Sequence, residues 1–594
     1  MTDRRKFLLG LGILGSAGAI GFNPIRRLLQ GILRDAGEFS GLKLQESRNY
    51  VQINMYGSPS RWFFDNILKP SDSDLLYKHP MIYNRLIKSD PLAFDYSLTK
   101  IGGINFPSIW KHSVPMPGGK VRAMADLSEH MLTVRGIHLE GTQGHPLNCA
   151  KMVAPSLGGL SIDGLIADSS RNPIPAINIG NTPVTRAFKA KNNSVVNILS
   201  NEKNYLNFLL SPFVSDSANL DDEIDLATTE ALEILKEIKK SSSPHLKPLY
   251  SDLAKAKKYF RNSIEGLLSE YDQLVKKYQS LLTRSLKVPL AGMSDKKISG
   301  LKLPFKAKGE LGVRQGLAPF LANGIFLADD DLRLILQTAS FGTMAQEFAL
   351  AEYVITKGIS SSIVISPENE MGKIFKNLNS GKSFSFGDIS RKYLKESNET
   401  IFSKGEGKSA MARPLDLSLD SHETGSIINF ATCPHYYFGL SSCLMELIES
   451  FKKTPLAKGN LFDETIVHLT AEFERLPNYH LDGSGHNENA HISSLFSGLF
   501  KKHRVLGNIF TGLPDGEADD QDAIGTVGFS APVPSFNNQQ IGISSLSHSI
   551  SKLLRVPPIV GRADPIFDLV NGKFVSLIED GKNIPGDPLK HEVN

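Results

Sequence analysis

The chain alternates short apolar strand patterns with longer helical ones. Tyr50-Val51-Gln52-Ile53-Asn54-Met55-Tyr56 has the two-residue period of a strand, and Gly57-Ser58-Pro59 stops it. Met131–Val134 and Pro175–Gly180 are further short apolar runs. Between 220 and 285 the period changes. Ile224, Ala227, Ala231, Leu235 and Ile238 recur at spacings of three and four, as do Phe260, Ile264, Leu267, Tyr271, Leu274, Tyr278 and Leu281. Such stripes predict amphipathic helices. Ser241-Ser242-Ser243-Pro244 separates the two runs, so residues 220–285 read as a helical hairpin laid on the main body, with Leu267 and Leu274 buried against a partner helix. A dimerising coiled coil is the alternative. Residues 329–357 predict another helix, stopped by Gly358, and Ile363-Val364-Ile365 a buried strand. Residues 366–425 are polar and rich in Gly, Ser and Lys, and read as a loop-rich insertion. A helix over 440–452 and a strand over Thr465–Thr470 follow. Helices alternating with buried strands predict an α/β fold, a mostly parallel sheet covered by helices on both faces. In such sheets sites lie beyond the carboxyl ends of the strands, which singles out the residues after Thr470.

The N-terminus carries a different signal. Arg4-Arg5-Lys6 precedes an apolar stretch from Phe7 to Phe22, and Ala17-Gly18-Ala19 supplies an A-x-A-like cleavage site. The stretch is shorter than the roughly 20 apolar residues of a membrane span. Arg4-Arg5-Lys6-Phe7-Leu8 is similar to the twin-arginine export signal, with Asp3 where Ser or Thr is more usual. The expectation is a signal peptide over 1–19, a polar linker over 20–45 and a periplasmic domain over 46–594. The twin-arginine translocase is then the first partner. Proteins sent by this route fold first, often around a metal. Net charge is +4, but the first 34 residues hold six basic side chains and one acidic, so the remainder stands near −1. No basic patch points to nucleic acid. Cys149, Cys433 and Cys443 are too few for a disulfide framework, although one bridge is conceivable in an oxidising periplasm.

After the Thr465–Thr470 strand comes Ala471-Glu472-Phe473-Glu474-Arg475, and then His480, His486 and His491 within twelve residues. Imidazole with carboxylate suits zinc, iron or manganese. The spacing matches no compact zinc motif, and a solvated loop is the plainer reading. Two weaker clusters are His138 with Gly144-His145-Pro146, and Asn429-Phe430-Ala431-Thr432-Cys433-Pro434-His435 ahead of a helix. Thr432 and Cys433 are conceivable nucleophiles without an identifiable base.

At these residues the chain resembles the bacterial exported families called domain of unknown function 1501 and 1552, relatives of the alkaline phosphatase and sulfatase superfamily. The first family ends a strand in S-E-F-G-R and follows it with T-D-H-G. The counterparts are Ala471–Arg475 and Ser484-Gly485-His486-Asn487. Lys453-Thr454-Pro455 to Thr465, and Leu160–Ala167, resemble segments of the second family, and His145 stands where the families carry a histidine. The resemblance implies one discontinuous alkaline-phosphatase-like domain over 46–594, interrupted at 220–285 and 366–425. It also implies one divalent metal (zinc, iron or manganese) on ligands drawn from His145, His435, Glu472, His486 and His491, with Thr432 and Arg475 as catalytic residues.

Three family aspartates are missing. Ser58-Pro59-Ser60 follows the first strand without one, D-T-H reads Ala431-Thr432-Cys433, and Gly485 replaces the aspartate of T-D-H-G. A binuclear centre needs several anionic ligands. Two functions therefore stand open. One is a binding or assembly protein of the cell envelope with a degenerate site, contacting an envelope protein or its own copy through the helical hairpin. The other is a metal-dependent hydrolase of phosphate or sulfate esters, with a metal on His145, Glu472 and His486 and with Arg475 on the anion.

Overall fold

The computed structural model describes residues 47–65, 85–86, 94–95, 98–141, most of 144–210, 264–288, most of 339–374, most of 415–477, 484–510, 528–559 and 563–584. The export signal, the linker and the first run of the helical hairpin lie outside the described residues.

The centre is a nine-stranded sheet. Its strands are β1 (Asn49–Met55), β2 (Met131–His138), β3 (Ile177–Ile179), β4 (Val196–Ile198), β5 (Ser362–Ile365), β6 (Thr465–Ala471), β7 (His491–Phe496), β8 (Arg504–Leu506) and β9 (Ile541–Gly542). Their order is β4-β3-β5-β1-β6-β7-β2-β8, with β9 also beside β2. β7 pairs antiparallel with both neighbours, and every other pair is parallel. The fold is therefore mixed α/β with a mostly parallel sheet. Apolar patterning located β1, β2, β3, β5 and β6. It missed β7, whose His491-Ile492-Ser493-Ser494-Leu495-Phe496 carries buried serines where a strand normally shows aliphatic residues.

Strand alternation feeds two cores. Val51, Ile53, Ile363, Ile365, Val467 and Leu469 pack with helices α3 (Ile264–Ser285), α4 (Met344–Thr356) and α5 (Ser421–Lys453). Tyr50, Leu132, Val134, Ile466 and Leu495 face the other way, toward α2 (Ile162–Ser169) and α6 (Ile543–Leu554). Ser161 caps α2 by accepting from the Gly164 amide at 3.1 Å. Helix α1 (Gly144–Lys151) lies on this second side, with Asn54 of β1 donating to Cys149 Sγ at 2.9 Å.

The stripe of α3 packs onto the main body: Tyr271, Tyr278, Leu281 and Leu282 are buried against α4 and α5, with Leu274 partly buried beside them, while the Leu267 side chain lies outside the described residues. Lys277 Nζ meets Glu352 Oε2 of α4 at 2.7 Å and Glu446 Oε1 of α5 at 2.8 Å, which fixes how the three helices dock. The helix expected over 329–357 begins, among the described residues, only at Met344, because Gly342 at φ +50° makes a turn before it. The segment 429–435 does not precede a helix but lies inside α5. Pro434 removes one backbone donor there. Cys433, Tyr436, Tyr437, Phe438 and Leu440 are nevertheless buried along that stretch, and their packing holds the helix across it. All three cysteines are buried, and none is in a disulfide.

Candidate functional site

The parallel register Asn54↔Thr470 and Met55↔Ala471 brings the ends of β1 and β6 together. Beyond them the chain turns through Gly57 at φ +83° and Ser58 at φ +47°. Left-handed backbone is natural for glycine and uncommon for serine. The turn aims the Gly57 amide at Glu472 Oε1, 2.7 Å away, and lets the Phe473 amide donate to Ser58 Oγ at 3.2 Å. It also exposes two carbonyls to Arg475, whose Nε donates to Ser58 O at 2.9 Å and whose Nη2 donates to Gly57 O. Arg475 is buried there, beside the Phe473 ring.

Helix α1 adds an imidazole. His145 Nδ1 lies 2.8 Å from Glu472 Oε1, and its Nε2 lies 3.4 Å from Asp420 Oδ2. Asp420 Oδ1 in turn accepts from Arg475 Nη2 at 2.9 Å. The result is a chain of alternating partners: Glu472, His145, Asp420, Arg475. Both imidazole nitrogens face carboxylate oxygens. His486 arrives on an antiparallel ribbon, Glu474–Pro477 with Ser484–Asn487, opposite Arg475 in register. Its ring stacks on Phe473 at 4.0 Å between centroids and stands edge-on to His145 at 4.4 Å. Glu474 turns away into the interior, where its Oε1 accepts the amides of Arg61 at 3.0 Å and of Arg475 at 2.9 Å. Burial pushes its carboxyl up to about 8, against the pull of these bonds and of the Arg61 charge. The Tyr56 phenol beside His145 is raised by burial first and then by the charges of Glu472, Cys149 and Asp420.

Of the candidates, His145, Glu472, His486 and Arg475 are brought together at the strand ends. His435 and His491 are not. His435 is held inside α5, where its Nε2 meets the Val288 carbonyl at 3.0 Å in the core between sheet and helices. His491 opens β7 and points into the sheet interior, with Nε2 at 3.2 Å from both Thr470 Oγ1 and Ser493 Oγ. Thr432 falls within α5, and its side chain lies outside the described residues. Asp420 was overlooked, because it lies in a stretch that composition marks as a polar insertion. Its one sequence signal is its place directly before α5.

The donor types suit a divalent cation, but their arrangement does not. Among the described residues no three His, Cys, Asp or Glu side chains are grouped to hold a metal ion. The reason lies in the partners already made. Glu472 Oε1 takes the Gly57 amide and His145, and the two oxygens of Asp420 face His145 and Arg475. Only Glu472 Oε2 is left buried without a partner on this carboxylate. No protein family, characterised protein or solved structure matches the chain.

Proposed function

We propose that this is an exported, alkaline-phosphatase-like protein whose strand-end site has become an internally neutralised cluster, with a binding or assembly role at the cell envelope rather than ester hydrolysis. The observation that carries the reading is the Glu472–His145–Asp420–Arg475 chain, in which the imidazole and the guanidinium occupy the carboxylate oxygens that a metal would need. The mostly parallel sheet between helical layers supports the architecture, and the three missing aspartates support the loss of the centre. Assays with phosphate and sulfate monoesters, in the presence of zinc, manganese or iron, are expected to show no turnover above that of His145→Ala. Turnover that depends on one metal and disappears in His145→Ala would overturn this reading.

The hydrolase reading has one specific observation in its favour. His145 Nε2 and Asp420 Oδ2 are 3.4 Å apart. That is about the separation of two ligands on one tetrahedral zinc with bonds near 2.0–2.2 Å. Export rests on Arg4 and Arg5 as an address that a receptor reads. Changing both to Lys keeps the charge and is expected to stop passage by the twin-arginine route. Normal periplasmic amounts of that variant by this route would refute it.

A further inference from the structure

A two-stranded ribbon near the C-terminus presents an apolar outer face. Phe567–Val570 pairs antiparallel with Lys573–Ser576 across Asn571-Gly572, both at positive φ, the signature of a tight hairpin. The Leu577 amide donates to Ile566 O and extends the ladder by one step. Phe567, Leu569 and Phe574 point inward onto the core around Phe500 and α6. The opposite face holds Asp568, Val570, Lys573, Val575 and Leu577. A ribbon that buries one face normally shows water a polar one. Here Val570, Val575 and Leu577 are 51%, 36% and 46% exposed. Among the described residues, the other exposed large apolar side chains, Val121, Leu147, Leu199 and Leu456, stand singly along the chain, whereas these three fall within eight residues. Isolated apolar residues need no explanation, but a contiguous group does.

We infer that this face is a docking surface for a second copy of the same chain. The register decides the partner. Asp568 lies opposite Val575, and Val570 lies opposite Lys573, so the valines occupy one diagonal of a four-residue patch and the two charges the other. A twofold axis along the valine diagonal places Val570 on Val570 and Val575 on Val575 of the partner. The same operation sets Asp568 against Lys573 twice. The patch is its own complement under a steeply crossed sheet packing, which is what a twofold interface requires. An anionic membrane fits less well, because three cations around the ribbon already face carboxylates, Lys552 with Asp568 at 3.4 Å, Lys582 with Glu579 at 2.6 Å and Arg504 with Asp580 at 2.7 Å, and the patch's own Lys573 is set against Asp568 by the twofold. A face of five side chains makes a small contact, so the dimer dissociates readily on dilution.

Sedimentation velocity of the full chain over a concentration series tests this. The wild type is expected to shift from monomer to dimer as concentration rises. Asp568→Lys and Lys573→Asp each set like charges face to face and are expected to weaken the dimer about tenfold, and the double exchange restores it. Val570→Thr with Val575→Thr, which keeps strand preference and shape, abolishes the dimer while the thermal midpoint stays near that of the wild type. A chain that stays monomeric throughout, or a dimer indifferent to these exchanges, overturns the inference. So does a monomer that co-sediments with phosphatidylglycerol vesicles through the two valines.

Discussion

Arg475→Met is expected to destabilise the protein by about 3–5 kcal/mol, the range for breaking a buried ion pair from one side. The guanidinium is 1% exposed and holds the carbonyls of Gly57 and Ser58 together with Asp420. Methionine fills most of the volume but leaves the buried Gly57 and Ser58 carbonyls short of a donor and takes the guanidinium from the half-buried Asp420. Arg475→Lys should recover little, since one ammonium cannot reproduce the planar fork that reaches both carbonyls and Asp420. Arg504→Met is the control. Its pair with Asp580 lies at the surface, with Asp580 70% exposed, and an exposed pair is worth about 0–1 kcal/mol. Urea denaturation of the three variants measures the difference. Equal, small effects at Arg475 and Arg504 would mean that the strand-end cluster does not bind its segments together.

Stability should fall steeply in acid because of a second buried polar group, on the α1–α2 side of the sheet. The Tyr50 hydroxyl has one proton, and Gln52 Oε1, 2.9 Å away, can only accept it. His468 Nδ1, 2.8 Å from the same hydroxyl, is therefore the donor, and Nε2 accepts from Ser493 Oγ at 3.0 Å. His468 is neutral in this network. Burial pushes its imidazole down to about 3, aided by the Arg61 charge. His491 is likewise held well below its ordinary value by burial, then by Arg61 and His468. A depressed histidine contributes stability that is present above the unfolded pKa and lost as pH falls below it, because the unfolded chain takes up the proton first. That window runs from about 6.5 down to about 3 for His468.

Two carboxyls act in the opposite sense. Burial raises Glu474 and Glu347 to about 8, so each favours the fold below its unfolded value and loses that contribution as pH rises toward 8. Between about pH 4.5 and 6.5 the pairs oppose each other, and below about 4.5 only the histidines act. His468 by itself accounts for roughly 1.4 kcal/mol per pH unit, or about 2 kcal/mol between pH 4.5 and 3, and His491 and His503, both held low by burial, act in the same direction. Unfolding free energies measured from pH 3 to 8 should show this acid limb, and His468→Gln should flatten it. An acid limb of unchanged slope in that variant would remove the histidines from the explanation.

The legible parts of the sequence were those where periodicity and burial agree. β1 and β6 carry aliphatic residues toward one core at every second position, and α3 buries its stripe from Tyr271 to Leu282. The site was legible through strand ends: Glu472 and Arg475 follow β6, and the β1 register carries Gly57 to them. What stayed hidden depended on tertiary partners. The run 429–435 breaks local helix rules at Pro434 and is held by buried aromatic residues. Ser493 and Ser494 are polar residues in a buried strand because His468 and Asp65 use their hydroxyls. Asp420 gained its place only once Arg475 and His145 approached it from segments far away in the chain. His435 and His491 look like ligands by composition, and they are spent on the Val288 carbonyl and on Thr470 and Ser493.

The most direct test of a self-neutralised site is the metal content of the full chain, purified after natural export without chelators, by elemental mass spectrometry. Zinc, iron and manganese should each be well below stoichiometric, and His145→Ala or Glu472→Gln should leave those levels unchanged. A stoichiometric ion in the wild type that either substitution removes would contradict the account, because Glu472, His145 and Asp420 would then be ligands of a cation and not partners of one another.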